Sequence, residues 1–182
     1  MQQFKQLFKD SFHELKSTTV LTKAALLVAV TVALGFYRIH ITEFLRIGFD
    51  FVPKEMTGML FGPVVGGVVA GVSDVIAYFI RPMGPFFPGM TISAILGGII
   101  YGVFLYKKPL SLKRIIMANA TVTVFVNLLL NTYWMTVLYG NSFLAIFPAR
   151  FVKELIMLPI GVTIYYTVAK VLSKAKFFSL AK

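Results

Sequence analysis

The amino-acid sequence predicts an all-α membrane protein, a bundle of six transmembrane helices with an outward-facing ligand pocket. The chain of 182 residues is 58% hydrophobic and 14% charged, with a mean hydropathy of +0.81, whereas soluble domains carry about 25% charged residues. Its apolar residues form runs of helical length, and the basic residues lie at the ends of these runs. Most polar side chains inside the runs gather toward one end of the bundle. Because polar groups at membrane depth are costly, such a cluster indicates a cavity.

The predicted elements form a single membrane domain over residues 1–182. Residues 1–19 alternate hydrophobic and polar side chains at helical spacing and lack a small-residue cleavage site, so we expect a cytoplasmic amphipathic lead-in and not a signal peptide. The predicted spans cover about residues 21–37, 51–61, 64–80, 89–106, 115–139 and 147–172. A straight crossing needs about 20 apolar residues. The second span is shorter, so we expect it to cross obliquely or incompletely and to turn at Gly62-Pro63 directly into the third.

The distribution of basic residues predicts the orientation in the membrane. Twelve of the eighteen Lys and Arg residues lie in the N-terminal tail, the loop between the fourth and fifth spans and the C-terminal tail, beside only two acids. Since Lys and Arg are retained on the cytoplasmic side, we expect a multi-pass protein of the cell membrane with both termini in the cytoplasm. The end of the first span, with Arg38 and His40 as candidate ligand contacts, and the start of the second, with Lys54 and Glu55, then face outside.

Three polar side chains share one face of the fifth span. Asn127, Asn131 and Trp134 are spaced i, i+4 and i+7, which places them on the same side of a helix. Amides pair with the donor and acceptor edges of a heterocycle, and an indole stacks on its rings, so we expect these residues to bind a ligand. The alternative interpretation is that the amides join neighbouring helices and the indole anchors the chain at the interface.

The sixth span opens with Arg150, Lys153 and Glu154. A guanidinium group clamps a carboxylate through two hydrogen bonds, and the helix dipole disfavours a cation at a helix start. We therefore expect Arg150, together with Lys153, to contact an anionic ligand. An Arg–Glu pair within the helix, or snorkelling of the long side chains to the interface, would explain the same residues.

The loop before the fourth span reads GPFFPGMT. Phe87 is suited to covering an aromatic ligand, Gly89 permits close backbone approach, and Thr91 lies beside the free N–H groups of a first helical turn. A rigid turn with interfacial aromatic side chains is the alternative interpretation.

Asp74 lies inside the third span, with Tyr78 one turn further on. A lone carboxylate at membrane depth needs a partner. Either a bound ring supplies donors to Asp74, or the carboxylate pairs with Arg81 or Lys54, and the sequence leaves both open.

Ala25, Ala29 and Ala33 recur every four residues on the first span. Small residues at this spacing allow another helix to approach closely. The spacing is equally consistent with packing inside the bundle and with docking of a partner.

Several kinds of site are missing from the sequence. There is no P-loop, HExxH or GxSxG motif, no cysteine, and only two histidines, which lie far apart, so we expect no catalytic residue, no metal and no cofactor. The inner halves of the spans are almost purely apolar or small. A channel or proton relay needs polar groups across the whole membrane, so the pattern favours a binding site that opens outside.

Four stretches carry a likeness to a known family. They are MLFGPVVGGVVAGVSDVIAYFI, FFPGMTISAILGGIIYG, LLLNTYWMTVLYG and PARFVKELIMLPI, and with AALLVAVTVA in the first span they cover most of residues 20–165. In this order and spacing the chain resembles the S components of energy-coupling-factor (ECF) vitamin transporters, and most closely the folate-specific one. The resemblance implies a six-helix protein that is not an enzyme and that binds its vitamin from outside.

The same resemblance implies partners and moving parts. It implies a complex with a transmembrane T subunit and two cytoplasmic ABC-type ATPases, which alone use ATP. The three alanines of the first span match the family's AxxxA motif for docking the T subunit. The loops at residues 38–50 and 81–88 correspond to the family's gates.

Folate is the ligand that the resemblance implies. Its pterin would meet Asn131 or Asp74, its rings Trp134 and Phe87, and its glutamate Arg150, or the molecule would enter in the opposite sense. Alternatives that stay open are another vitamin (a pterin, thiamine or riboflavin), a self-sufficient secondary carrier or channel, and a purely structural membrane protein.

Overall fold

A computed structural model describes residues 2–37, 39–40, 46–82, 84–140 and 142–174. The helices are α1 (Gln2–Glu14), α2 (Thr18–Gly35), α3 (Phe51–Ile80), α4 (Pro88–Leu105), α5 (Leu112–Thr121), a π-helical segment (Val122–Leu130), α6 (Asn131–Tyr139) and α7 (Phe143–Lys174). Two short strands, β1 (Ile39–His40) and β2 (Arg46–Ile47), pair antiparallel between α2 and α3. The predicted all-α class is confirmed.

Helix α3 reverses direction in its middle. Within the described residues, five helical stretches are long and apolar enough to cross a membrane, and α3 is one of them. Gly62 leaves the helical conformation with φ 90° and ψ −177°, a region that favours glycine. A Cβ built on Gly66 would lie 2.7 Å from the Cα of Gly58, although residues eight apart in a straight helix are separated by about 12 Å. The chain therefore folds back into α3a (residues 51–61) and α3b (63–80), which makes six membrane helices.

Glycines allow α3a, α3b and α4 to meet backbone to backbone. A Cβ on Gly58 or on Gly66 would lie 2.8 Å from the carbonyl oxygen of Gly98, and a Cβ on Gly102 would overlap the backbone of Pro63. Small residues are the usual means by which membrane helices approach closely, since lipid supplies no hydrophobic force between them. This contact holds the short helix α3a inside the bundle.

Helix α1 packs against the reversal, and the hydroxyl group of its Ser11 forms hydrogen bonds with both segments. Ser11 is fully buried. Its Oγ donates to the carbonyl oxygen of Phe61 at 2.8 Å and accepts from the N–H groups of Val64 at 3.0 Å and Val65 at 3.3 Å. The last turn of α3a and the first turn of α3b would otherwise leave backbone groups unpaired. Ser11, fifty residues away in sequence, therefore caps both segments.

Two further contacts tie α1 to the end of α4. Lys107 Nζ donates to Asp10 Oδ2 at 2.7 Å, and the hydroxyl of Tyr106 donates to Glu14 Oε1 at 3.1 Å. The predicted lead-in is thus an α-helix packed against the bundle at the end that carries the basic loop.

The apolar core lies among α3, α4, α5 and α7. Phe61, Val65, Ile115 and Tyr165 are fully buried there. The hydroxyl of Tyr165 lies 3.2 Å from the sulfur of Met59, so the deepest phenol also has a partner.

A nine-residue π-helical segment connects α5 and α6. Such i→i+5 segments are rare and occur frequently at functional sites. This one carries Thr123 and Asn127, and both side chains belong to residues that line the cavity described next.

Candidate functional site

A cavity of about 420 Å³ lies between α2, α3, α4, α5, the π-helical segment, α6 and α7. This volume is within the range of sites for small molecules. Aromatic side chains, charged side chains and glycines all contribute to its walls.

Aromatic residues surround its mouth. Phe36, Tyr78, Phe86, Phe87 and Tyr139 line this region. The rings of Tyr78 and Phe86 lie 5.0 Å apart, and the hydroxyl of Tyr78 donates to the Gly84 carbonyl at 3.3 Å. The loop before α4 is therefore fixed to α3b by its own aromatic residues.

One wall is a hydrogen-bonded network of four polar residues. Arg150 Nη2 donates to the backbone carbonyl of Asn127 at 3.1 Å, Asn127 Nδ2 donates to Glu154 Oε2 at 3.3 Å, and Lys153 Nζ pairs with Glu154 Oε1 at 2.8 Å. Arg150 and Glu154 are only 6% and 4% exposed. Arg150 and Lys153 thus place a guanidinium and an ammonium group in the cavity lining, and such charged donors bind carboxylates strongly.

Asp74 lines the cavity from α3b. Thr91 Oγ1 donates to Asp74 Oδ2 at 2.9 Å. The cations that the sequence offers as partners have other contacts: Lys54 pairs with Asp50 at 3.0 Å, and Arg81 donates to the Phe36 carbonyl at 2.9 Å. Asp74 is half-buried and lines the cavity, so its carboxylate is held by Thr91 beside the space for a ligand.

The floor of the cavity contains polar residues that the sequence analysis did not select. Glu55 and Asn119 are each 7% exposed, and Tyr101, which lies beside the Glu55 carboxyl group, is 2% exposed. Tyr101 is 13 residues into α4, about 20 Å along the helix. Glu55 therefore lies deep in the bundle, and the expectation that it faces outside at the start of the second span is not met.

The depth of Glu55 follows from where α3a begins. The ring of Phe51 lies 3.7 Å from a Cβ built on Gly161, and Gly161 is 18 residues into α7. The first residue of α3a thus lies well inside the bundle. The predicted orientation placed Glu55 outside because it lies at the start of the second span. Asn119 could have been found by the same rule that selected Asn127, an amide inside an apolar span.

The structure brings seven of the predicted ligand residues to the cavity. They are Asp74, Tyr78, Phe87, Asn127, Asn131, Arg150 and Lys153. Asn131 Nδ2 is 3.5 Å from Asn127 Oδ1, as their spacing predicts.

Three predicted residues lie behind this lining. Thr91 contacts the cavity through Asp74. The indole of Trp134 donates to Ser93 Oγ at 3.2 Å and lies 5.5 Å from the Phe87 ring, and a Cβ on Gly89 would lie 2.6 Å from that indole. Trp134 thus supports Phe87 from behind. Arg38 and the side chain of His40 lie outside the described residues.

The three alanines of α2 face away from the bundle. Ala25, Ala29 and Ala33 are all exposed, whereas Ala24 is buried in the core. The stripe is therefore not used for packing among the described residues of this chain.

Over the ranges that the structure describes, no group of three or more His, Cys, Asp or Glu side chains is arranged to hold a metal ion.

Comparison with known proteins gives a consistent result. The sequence profile described as "ECF transporter, substrate-specific component" matches residues 19–169. The chain is 38% identical over 165 residues to the folate transporter FolT of Clostridium novyi, covering 91% of this chain and 96% of that protein. It is 32% identical over 154 residues to the folate transporter FolT of Leuconostoc mesenteroides, covering 80% and 83%.

A solved structure shares the architecture. A crystal structure of FolT bound with folic acid superposes with a TM-score of 0.78 at 36% identity, over 84% of this chain and 93% of that one.

Proposed function

Because this chain belongs to the family of ECF transporter substrate-specific components, we propose that it binds folate in the cavity and delivers it inward when coupled to an ATPase module. It is a multi-pass membrane protein of transport and not an enzyme. The observation that carries the proposal is the buried Arg150–Asn127–Glu154–Lys153 network in a cavity of about 420 Å³, in a chain 38% identical to a folate transporter.

The cavity has a complement for each part of folate. The glutamate carboxylates suit Arg150 and Lys153, because charged donors bind carboxylates strongly. The rings suit Phe87 and Tyr78 at the mouth. Asn131 and Asp74 also line the cavity and can form hydrogen bonds with the polar edge of the pterin.

A binding titration of the purified chain tests this function. We expect tight binding of folate and much weaker binding of thiamine and riboflavin. In liposomes without the ATPases, we expect binding without net uptake. Uptake by the chain alone would instead support a secondary carrier, and binding of none of the three vitamins would remove the proposed function.

Arg150→Gln tests the network at the wall. Loss of a hydrogen bond to a charged group is worth about 1.5–3 kcal/mol, so folate affinity should fall between about tenfold and 150-fold. Arg114→Gln is the matched control, since Arg114 lies outside the cavity lining and donates to the Pro109 carbonyl in the basic loop. Unchanged affinity in Arg150→Gln would exclude Arg150 from the site.

For the partners, we propose that α2 docks a transmembrane T subunit, which is joined by two ABC-type ATPases. The exposed Ala25, Ala29 and Ala33 support this, because small residues permit close helix contact. Ala29→Leu should abolish assembly and transport while sparing folate binding. Ile156→Phe, at an exposed position of α7, is the control. Assembly that survives Ala29→Leu would place the docking face elsewhere.

Both termini are proposed to lie in the cytoplasm, on the strength of the basic tails and loop. Since the chain has no cysteine, single cysteines at Lys108 and Gly84 can be probed in intact cells with a membrane-impermeant maleimide. Labelling at position 84 alone is expected. Labelling at position 108 would show that the orientation is the opposite of the proposed one.

A further inference from the structure

Helix α1 carries three phenylalanines along one side, called here the phenylalanine stripe. Phe4, Phe8 and Phe12 are four residues apart, so their side chains share a face of the helix. Phe4 and Phe12 are each 55% exposed. The ring of Phe8, which is half-buried, lies 4.9 Å from the ring of Phe4. A contiguous stripe of exposed apolar side chains indicates contact with a membrane or with another protein.

Basic side chains accompany the stripe. Lys5 and Lys9 are exposed on α1, and Lys16 is exposed in the turn that follows it. With about 3.6 residues in each helical turn, Lys5 and Lys9 lie next to Phe12 on the side away from Ser11. In the part of the chain that the structure describes, none of the three lysines forms an ion pair.

The two acids of α1 face the bundle. Asp10 pairs with Lys107, and Glu14 accepts a hydrogen bond from Tyr106. The outer side of α1 therefore carries positive charge, which complements an anionic surface.

The contacts of α1 place it at the boundary of the bilayer. Ser11 bonds to the reversal between α3a and α3b, and the partners Tyr106 and Lys107 directly follow α4. Helix α2, which is apolar and long enough to span a membrane, begins at Thr18, three residues after α1 ends. A helix with phenylalanines on one face and lysines beside them lies in the membrane interface, with its apolar face among the first acyl carbons.

We propose that α1 is a membrane-surface anchor. The phenylalanine stripe inserts at the boundary between headgroups and acyl chains, and Lys5, Lys9 and Lys16 bind the headgroups of anionic phospholipids. Each lysine near an anionic membrane surface strengthens such binding about fivefold. Because Ser11 on the same helix caps the reversal, the anchor fixes the depth of α3a and α3b relative to that leaflet.

A fluorescent probe in lipid vesicles tests the depth of the stripe. The chain has no cysteine, so an NBD fluorophore can be attached to the full chain at Phe12→Cys. The matched control is His13→Cys, an exposed neighbour beyond the lysines. In vesicles of phosphatidylcholine and phosphatidylglycerol, the probe at position 12 should be quenched by lipids with a doxyl group near the headgroup. It should also be several-fold less accessible to aqueous iodide than the probe at position 13.

A second pair of variants tests the phenylalanines themselves. Phe4→Gln should increase iodide access to the probe at position 12. Phe79→Gln, which removes an exposed phenylalanine at the other end of α3b, should not change it. Because both side chains are exposed, both variants should fold.

Lipid-specific quenching tests the lysines. Doxyl-labelled phosphatidylglycerol should quench the probe at position 12 more strongly than equally labelled phosphatidylcholine. Replacing Lys5, Lys9 and Lys16 together by Gln should make the two lipids equal quenchers, whereas replacing all three by Arg should keep the preference, because the charge is kept. Salt at about 1 M should reduce the preference of the unmodified protein.

Three results would overturn the inference. Equal iodide access at positions 12 and 13 would place the stripe in water. Protection that appears only after the T subunit and the ATPases are added would show that the stripe docks a protein. Equal quenching by the two labelled lipids in the unmodified protein would remove the anionic headgroups as the partner of the lysines.

Discussion

At the chain reversal around Gly62, the single hydroxyl of Ser11 bonds three backbone groups. At the cavity floor, Glu55 and Asn119 each keep a buried polar atom without a partner among the described residues. Both regions bury polar groups deep in an apolar bundle, where unpaired groups are costly. At the reversal, which has a structural role, the chain pairs these buried groups with its own hydrogen bonds. At the floor, the unpaired groups belong to residues that line the cavity.

The two regions also use glycine differently. At the reversal, glycines bring backbones into contact, and a Cβ at Gly98 would overlap the carbonyl group of Gly66. At the floor, the adjacent Gly97 has only Val122 near its Cβ position, at 3.9 Å. Substitutions that separate packing from binding therefore test the comparison.

The largest effect is expected from Gly98→Ala. The new methyl group would meet rigid backbone atoms of α3b, and overpacking a tight contact costs about 1–3 kcal/mol or more. The thermal transition of the purified, ligand-free protein should fall sharply. Gly97→Ala, the matched control one position away, should leave stability unchanged within about 0.5 kcal/mol or raise it slightly. Equal transitions for the two variants would contradict the proposed close contact.

Ser11→Ala should have the next largest effect. It leaves backbone groups of Phe61, Val64 and Val65 buried without the hydroxyl, which costs about 1–3 kcal/mol. Folate affinity should stay within twofold or so, because the cavity lies elsewhere and a small loss of global stability does not alter a pocket that remains folded. Ser173→Ala, an exposed serine on α7 bonded to the Lys170 carbonyl, is the control and should be neutral. A Ser11→Ala variant that keeps its stability but loses folate binding would show that Ser11 serves the ligand and not the fold.

The sequence predicts where the chain reverses but not which residue caps the reversal. Hydropathy and the short second run place a turn at Gly62-Pro63, since both are local properties of the chain. That a serine from α1 caps this turn depends on a contact across fifty residues, which no local pattern records. By contrast, the contact between Asn127 and Asn131 follows from their spacing of four residues on one helix.

The site shows the same limit. Arg150 and Asn127 stood out because charged and amide groups are rare in apolar runs. Glu55 was placed outside because it lies at the start of the second predicted span, and its depth depends on where α3a begins in the bundle, which is a tertiary property. Trp134 faces the predicted side of α6, but the Phe87 ring and Ser93 occupy the space beside it, a fact of tertiary packing.

The smallest effect is expected where the lead-in meets the basic loop. The hydrogen bond from Lys107 holds the pKa of the Asp10 carboxyl group below its usual value. A carboxylate with a lowered pKa in the folded state stabilises the fold above its unfolded pKa, about 3.9, and this contribution disappears as the pH falls through the lower folded value. Because the pair is exposed, its contribution is small and is screened by salt.

Asp10→Asn should therefore lower the thermal transition slightly at pH 7, far less than Ser11→Ala. The difference from the unmodified protein should shrink between pH 5 and about pH 3 and should also shrink in high salt. Lys113→Gln, which removes one positive charge in the first turn of α5, is the control and should leave the thermal transition unchanged at both pH values. A difference that persists at low pH would mean that Asp10 stabilises the fold through packing and not through its charge.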